Sequence, residues 1–262
     1  MIKKLYNRIS AWYDKINTFQ INASEEAIER NKNKLLEEFP ELKPFYEERE
    51  NDMYDYTNIT AQTIQEAHRR AVYNVWHFGK EIYDQRGDLT MELTDINIKI
   101  PSSDISHVDN SLIKKLDNDF AEALINPDKA EQKGKDFIYA YGERLWSLNQ
   151  LPKIVDLLKK EPNTRRAVIP IYDKIDNCIT VSEVPCWSFS QWLLRDGKLN
   201  NIVYFRSNDV WGAFPSDAYG IRTLQKWIAD QLRVDVGYYS HKAGSLHIRK
   251  TDENAVKAFL KV

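Results

Sequence analysis

The stretch VPCWSFSQWLLRDGKLNNIVYFRSND, residues 184–209, restricts the possible folds more than any other part of the chain. It is dense in Val, Ile, Trp, Tyr and Phe, side chains that suit a pleated, half-buried surface, and Asp196-Gly197 divides it. Asp-Gly readily takes the two positive-φ positions of a type I′ turn, whose twist matches that of paired strands. The stretch therefore reads as an antiparallel hairpin that is entered through Pro185-Cys186 and returns the chain to Arg206, Ser207 and Asp209. An isolated hairpin is marginal in water and needs further strands. RRAVIPIYD (165–173), CITVSEV (178–184), VDVGYYSHKAGSLHIRK (234–250) and the alternating DLTMELTDINIKI (88–100) have the composition to supply them, with a turn signal at Ala243-Gly244.

Helical periodicity surrounds these strands. TAQTIQEAHRRAVYNVWHFGK (60–80) places Ile64, Ala67, Ala71, Val72 and Val75 on one side, and AYGIRTLQKWIADQL (218–232) is amphipathic. Ser111 to Asn126 is helical in spacing, and Lys135 to Leu151 is mixed and rich in aromatics. The expected class is α+β, with a large mixed or antiparallel sheet packed with helices. Residues 1 to about 60 are highly charged, helical in spacing within SEEAIERNKNKLLEEF and broken at Pro40 and Pro44. They read as an N-terminal accessory segment (1–60) ahead of the main domain (61–262), their mixed charges a solvated helix face.

Bulk properties exclude several functions. A net charge of −2 over 262 residues gives no global basic character for duplex nucleic acid. The two cysteines, Cys178 and Cys186, are too few for a disulfide framework and suit a reducing cytoplasm. MIKKLYNRISAWYDKI lacks the apolar run of a signal peptide, and no stretch approaches the roughly 20 apolar residues of a membrane helix. His68, His77 and His107 share no ligand spacing, so no metal is expected, and no glycine-rich phosphate loop is present. Cys178, Trp192 and Trp227 read as core residues.

The chemistry concentrates at the hairpin. A cysteine close to an arginine has a stabilised thiolate, the nucleophilic form, and Arg with Ser is a natural grip for a phosphate or carboxylate. Cys186 is therefore a candidate nucleophile beside an anion site at Arg206 and Ser207, the alternative being a buried structural thiol.

Pro185, Cys186, Gln191, Arg206, Ser207 and Asp209 together resemble the core of the thymidylate synthase and deoxycytidylate hydroxymethylase superfamily. PNTRR (162–166) is similar to its double arginine, YGERLW (141–146) to its Tyr-Gly-x-x-x-Trp element, and GYYSHKAGSLHIRK (237–250) to its His-bearing strand, with His247 in the nucleotide-contacting place. The motifs keep their order over roughly residues 80 to 250. The resemblance implies a thymidylate-synthase-like fold that dimerises through its sheet, with Arg165 and Arg166 reaching the neighbour's nucleotide phosphate. It implies catalytic roles for Cys186, Tyr141, Asp117 and Asp209. It assigns a pyrimidine nucleoside monophosphate to Arg165, Arg166, Arg206, Ser207, Gln191, Asp217, His247 and Arg86, and the cosubstrate 5,10-methylenetetrahydrofolate to Trp146.

In the implied reaction Cys186 adds to C6, which makes C5 electron-rich enough to attack a one-carbon electrophile. Loss of the C5 proton near Tyr141 gives an exocyclic methylene that takes up hydride or water. Asp217 stands where thymidylate synthases carry Asn and deoxycytidylate hydroxymethylases Asp, which favours cytosine. It also suits the N-cap of the following helix.

Several positions depart from the family. Asp117 stands for the family's glutamate, with Asp119 and Glu122 as rivals, and Phe120 for its aromatic. Trp187 follows the cysteine in place of His, Arg249 replaces a sugar-binding tyrosine, Gly212 is shifted by one, and Arg86 is displaced by one from a phosphate-binding loop. Only fifteen residues follow His247, fewer than a folate-covering tail requires, so water capture and a hydroxymethyl product are expected over methylation.

Overall fold

In the computed structural model the described residues are 56–106, 111–134, 140–174, 176 and 184–260, with side chains described throughout these except at 111–117 and 131–134. The helices expected before residue 56, His107, and all but Val184 of the strand expected at 178–184, including Cys178, lie outside them. The chain divides into two units, residues 1–55 with 257–262 and residues 56–256, and the elements below belong to the second.

Among the described residues eight strands build one sheet: β1 (Asn58–Thr60), β2 (Lys80–Tyr83), β3 (Leu89–Ile100), β4 (Val168–Pro170), β5 (Trp187–Arg195), β6 (Lys198–Phe205), β7 (Asn208–Asp209) and β8 (Asp235–Arg249). Their order is β1-β3-β8-β6-β5-β4, with β2 on β3 and β7 on β8. The β3/β8, β5/β6 and β4/β5 pairs are antiparallel and the β6/β8 pair is parallel, so the sheet is mixed. β1, just before the boundary expected near residue 60, pairs with Asn97–Lys99 of β3.

The expected hairpin forms as β5 and β6, with φ of 51° at Asp196 and 71° at Gly197 between the paired Arg195 and Lys198. The turn expected at Ala243-Gly244 does not: β8 runs unbroken through it. Gly244 answers a close approach instead, because a Cβ there would lie 2.7 Å from the Tyr204 hydroxyl and 3.0 Å from the Arg206 carbonyl. The inward-facing positions of β8 also change parity here, from Gly237, Tyr239, His241 and Ala243 to Leu246 and Ile248. The facing strand changes parity at the same register, around Asp95, whose φ is 60°.

Helix α1 (Ile64–Phe78) is closed by a capping box. The Thr63 hydroxyl accepts from the Glu66 amide, and the Glu66 carboxylate accepts from the Gln62 amide. Its buried stripe includes every apolar residue expected there, and also His68 and Asn74. After α2 (Ser111–Ile125), α3 (Pro127–Gly134), α4 (Tyr141–Trp146) and α5 (Gln150–Lys160) comes the long α6 (Phe214–Leu232), which packs with α1 against β8. The Arg222 side chain of α6 is fully buried, and its guanidinium donates to the carbonyls of Ser102, Asp104 and Gly237 and to Gln225. Burial lowers its pKa to about 10, so it keeps its charge at neutral pH and holds the chain after β3 to the sheet. α2 crosses α6 at Gly220, where a Cβ would meet the Phe120 ring at 2.6 Å. Among the described residues no helix is long and apolar enough to cross a membrane.

Candidate active site

Cys186 immediately precedes β5 and is half-buried. Arg206, at the end of β6, fastens the segment leading into it. Its amide donates to the Cys186 carbonyl (2.8 Å), its Nε to the Pro185 carbonyl (3.0 Å) and its Nη2 to the Val184 carbonyl (2.7 Å). Three charge-assisted or backbone bonds make Arg206 a strut for the cysteine as well as a candidate anion ligand.

Tyr141, the first residue of α4, reaches the same place from the other side. Its hydroxyl accepts from the Trp187 amide at 3.3 Å, and its ring meets Trp187 and Phe120 edge-on at 5.4 and 6.2 Å. The structure thus places Tyr141 between Phe120 and Trp187, the residue that follows Cys186. Trp187 is fully buried and stacked on Phe205, so it serves the core where the family usually carries His. α4 is itself anchored by Arg144, whose Nη2 donates to Asp176 at 2.8 Å and whose Nη1 donates to Asp176 and to the Ile171 carbonyl. Burial alone would raise the Asp176 pKa, but the Arg144 hydrogen bond and charge and the Asp173 amide bring it below its usual value.

Beyond Ser207, which is half-buried, β7 lays Asp209 beside His247 of β8, and Glu92 of β3 faces His247 from the other side. The Asp209 carboxylate accepts the amides of Trp211 (3.0 Å) and Gly212 (2.9 Å), with the Arg249 Nε at 3.6 Å. Burial lowers the His247 pKa, Arg249 lowers it further, and Asp209, Glu92 and Asp84 oppose them. Arg86 lies in the exposed turn between β2 and β3, with its amide donating to Asp84 at 2.8 Å.

Asp217 is buried in the first turn of α6. The helix starts one turn earlier than the sequence suggested, with Ala213 at the N-cap, so Asp217 does not cap it. Its Oδ2 instead accepts from the Asn208 side-chain amide at 2.7 Å. Beneath this pair the Tyr239 hydroxyl bonds His241 Nδ1 at 2.8 Å, and His241 stacks on Phe205. Burial drives the His241 pKa down to about 3. It takes His68, which packs near Trp211 and Phe214, to about 4 against the opposing pull of the Val210 and Trp211 backbone and of Asp209. Both rings are neutral at physiological pH.

Other expected residues stand apart from this cluster. Arg165 and Arg166 are exposed, and Arg166 is paired with Glu161. Gln191 donates to the Arg165 carbonyl at 2.9 Å, holding that backbone rather than pointing free. The Trp146 indole N–H donates to the Leu124 carbonyl at 3.1 Å and its ring meets Trp227. The side chain of Asp117 lies outside the described residues. Of its rivals on α2, Asp119 is exposed and Glu122 is ion-paired with Lys129. Among the described residues no three His, Cys, Asp or Glu side chains gather as a metal site.

Asn208, Tyr239 and His241 were not anticipated. The available signal was alternation within the two-residue β7: if Asp209 lines the site, its neighbour Asn208 must face the interior.

A half-buried cysteine ahead of a strand, an arginine strut, an aromatic hydroxyl beside them and a buried carboxylate fit a transferase of one-carbon units to C5 of pyrimidine nucleotides. A family model described as thymidylate synthase matches residues 56–261, and the chain belongs to the thymidylate synthase family. It is 30% identical over 213 residues to a protein of Methanosarcina acetivorans named "Putative thymidylate synthase", with 78% of this chain and 94% of that protein covered. A protein of the same name from Methanothermobacter thermautotrophicus is 28% identical over 225 residues, covering 78% and 98%. A third relative, the deoxyuridylate hydroxymethyltransferase of Bacillus phage SP01, is 34% identical over 148 residues, which are 50% of this chain and 38% of the phage protein.

Proposed function

We propose that the protein hydroxymethylates C5 of a cytidine monophosphate, acting as a cytoplasmic homodimer. The observation that carries this reading is that Asp217, which we read as the residue that meets the base edge, is a buried carboxylate. A carboxyl group accepts from the exocyclic N4 amine and, when protonated, donates to N3. An unpaired polar group in such a pocket is costly, so one side chain separates two bases strongly.

Arg206 and Ser207, with Arg165 and Arg166 of the neighbouring subunit, clamp the 5′-phosphate. The clamp fixes the ring over Cys186, so that addition to C6 becomes effectively intramolecular. The Cys186 thiolate forms the Sγ–C6 bond and pushes the electron pair to C5. C5 bonds to the one-carbon unit, and loss of the C5 proton toward Tyr141 and ordered water would then break the bond from that carbon to the folate nitrogen, releasing tetrahydrofolate and leaving an exocyclic methylene. Water adds to the exocyclic carbon, and the Sγ–C6 bond breaks to release product and thiolate. Asp209 holds the loop of Trp211 and Gly212 beside His247, which meets the sugar.

Methylenetetrahydrofolate, when bound, supplies the one-carbon unit. Trp146 suits it: its N–H is already satisfied by Leu124, so a half-buried ring surface is what it offers a planar heterocycle. Dimerisation through the sheet agrees with the outward face near β4, where Phe189 stacks on Tyr204 and remains 38% exposed and Val168 is 41% exposed.

A second reading, hydroxymethylation of a uridine monophosphate, is favoured by the activity in the name of the phage relative. Tritium release from C5-labelled dCMP, CMP and dUMP, with and without methylenetetrahydrofolate and with C186A as control, separates the readings. Cys186-dependent release from a cytidylate supports the first, and release from dUMP alone supports the second. No release from any of the three sinks both.

A further inference from the structure

Two adjacent asparagines on β6 are both buried, and the fold treats them oppositely. Asn200 sits where the pairing of β6 with β8 slips, between Leu199 and Asn201, and its side chain makes up for the broken ladder. Its Oδ1 accepts from the Tyr238 amide at 3.0 Å and its Nδ2 donates to the Leu193 carbonyl at 3.2 Å. Asn201 is fully buried, and neither end of its side chain has a hydrogen-bond partner among the described residues. Asn201 pairs with Trp192 on one side and Tyr239 on the other, and the next row of the sheet is Ser190, Val203 and His241. All six are fully buried or nearly so on the face that α6 covers, where Phe214 meets the His241 ring edge-on at 5.1 Å. Ser190 Oγ, Trp192 Nε1 and His241 Nε2 are also without partners among the described residues.

Buried polar side chains in folded proteins are almost always satisfied, and the helix above the cluster obeys the rule. Gln225 accepts from Arg222 and donates to the carbonyls of Leu199 and Tyr238, so both side chains are committed away from Asn201. We infer that this face of the sheet holds internal water, centred on Asn201 and bridging it to Ser190, Trp192 and His241. Directly opposed residues in a sheet have Cβ atoms about 5 Å apart and diagonal ones about 7–8 Å, spans that a bridging molecule closes. The groups decide the ligand. Asn201 and Trp192 bring N–H donors, Asn201 a carbonyl oxygen, Ser190 a hydroxyl, and His241 the nitrogen left over from its bond to the Tyr239 hydroxyl. Water donates and accepts at once and satisfies such a mixed set with two to four bonds. An ion there would be buried without a counter-charge. The site lies one row from Phe205, which stacks on both His241 and Trp187, so the water underlies the aromatic floor next to Cys186. None of this depends on which nucleotide the protein takes.

The test is a high-resolution crystal structure of the intact protein, joined to the unfolding equilibrium of N201L. The expected density is an ordered water within hydrogen-bond distance of the Asn201 side chain and of at least one of Ser190, Trp192 and His241. Side chains that bond one another directly, a dry cluster, or an ion in place of water overturns the inference. Leucine nearly matches asparagine in size, so N201L evicts the water and leaves Ser190 and Trp192 bare. The unfolding equilibrium constant should then rise about tenfold or more. In a dry cluster the same change removes two unsatisfied groups, so a constant that is unchanged or lower overturns the inference. If N201L does not fold, the crystal structure of the intact protein decides alone.

Discussion

The arginines expected to meet a phosphate fall into two regions in contrasting states. Arg206 is half-buried, and its side chain is committed to the carbonyls of Val184 and Pro185, the two residues before the cysteine. Arg165 and Arg166 are exposed, and the visible partner of Arg166 is Glu161, five positions back in the chain. The first region is built in advance, with the guanidinium, the Cys186 segment and the Tyr141 helix tied into one frame. The second gains little from its own chain, since exposed ion pairs contribute about 0–1 kcal/mol. A rigid strut beside Cys186 would preserve the geometry on which the proposed intramolecular attack depends. A loosely held pair suits a ligand that arrives from another subunit.

The largest effect should come from breaking the rigid side. R206A is expected to lower dCMP affinity about a hundredfold, roughly 3 kcal/mol, as measured by calorimetry. Its melting temperature should also fall, because the Val184 and Pro185 carbonyls lose their donors. If R206A binds normally and R165A/R166A does not, the contrast is reversed.

R144A comes next. It leaves Asp176, 7% exposed, without its bidentate partner and frees α4, for an expected loss of about 2 kcal/mol in unfolding free energy. Because Arg144 helps hold the Asp176 pKa below its unfolded value, that stability is present above the unfolded pKa and is lost as pH falls through the folded one.

The buried histidines give a separate pH dependence. His68 and His241 stay neutral down to about 4 and about 3 in the folded protein, while the unfolded chain takes up protons near 6.5. The unfolded state then binds more protons, so stability declines as pH drops from about 6.5 toward 4, by at most about 1.4 kcal/mol per unit per histidine. Thermal unfolding at stepped pH should show this slope, and H68F should flatten it.

The smallest single-site effect is expected from R166A, about threefold in nucleotide affinity and weaker still at high salt. The double variant R165A/R166A sharpens the comparison further. Mixed with C186A it should regain activity, because one site of a hybrid dimer then has both an intact cysteine and intact arginines. Without such rescue, those arginines do not act across subunits.

Much of the frame was legible from local pattern. Asp196-Gly197 announced its turn because φ preference belongs to the residue pair itself, and the stripe from Ile64 to Val75 announced α1 because helical period is a property of adjacent positions. The cysteine, Arg206 and Tyr141 were legible through motif order, and the structure brings them together. Gly244 misled, since a glycine required by an approaching backbone looks the same in sequence as a glycine required by a turn. Asp217 misled in part, since an acidic residue near a helix start suggests a cap until the helix is seen to begin at Phe214.

What the sequence determined by itself is the set of elements, the hairpin and the residues able to react or to hold an anion. These follow from interactions between near neighbours in the chain. What only the tertiary structure decided is pairing at a distance: Asn208 with Asp217, Tyr239 with His241 under the helix, Arg206 with the carbonyls before Cys186, and Arg144 with Asp176. Sheet register and helix seating set those partners. Both are fixed by burial of apolar surface across the whole domain, which no single stretch of sequence encodes.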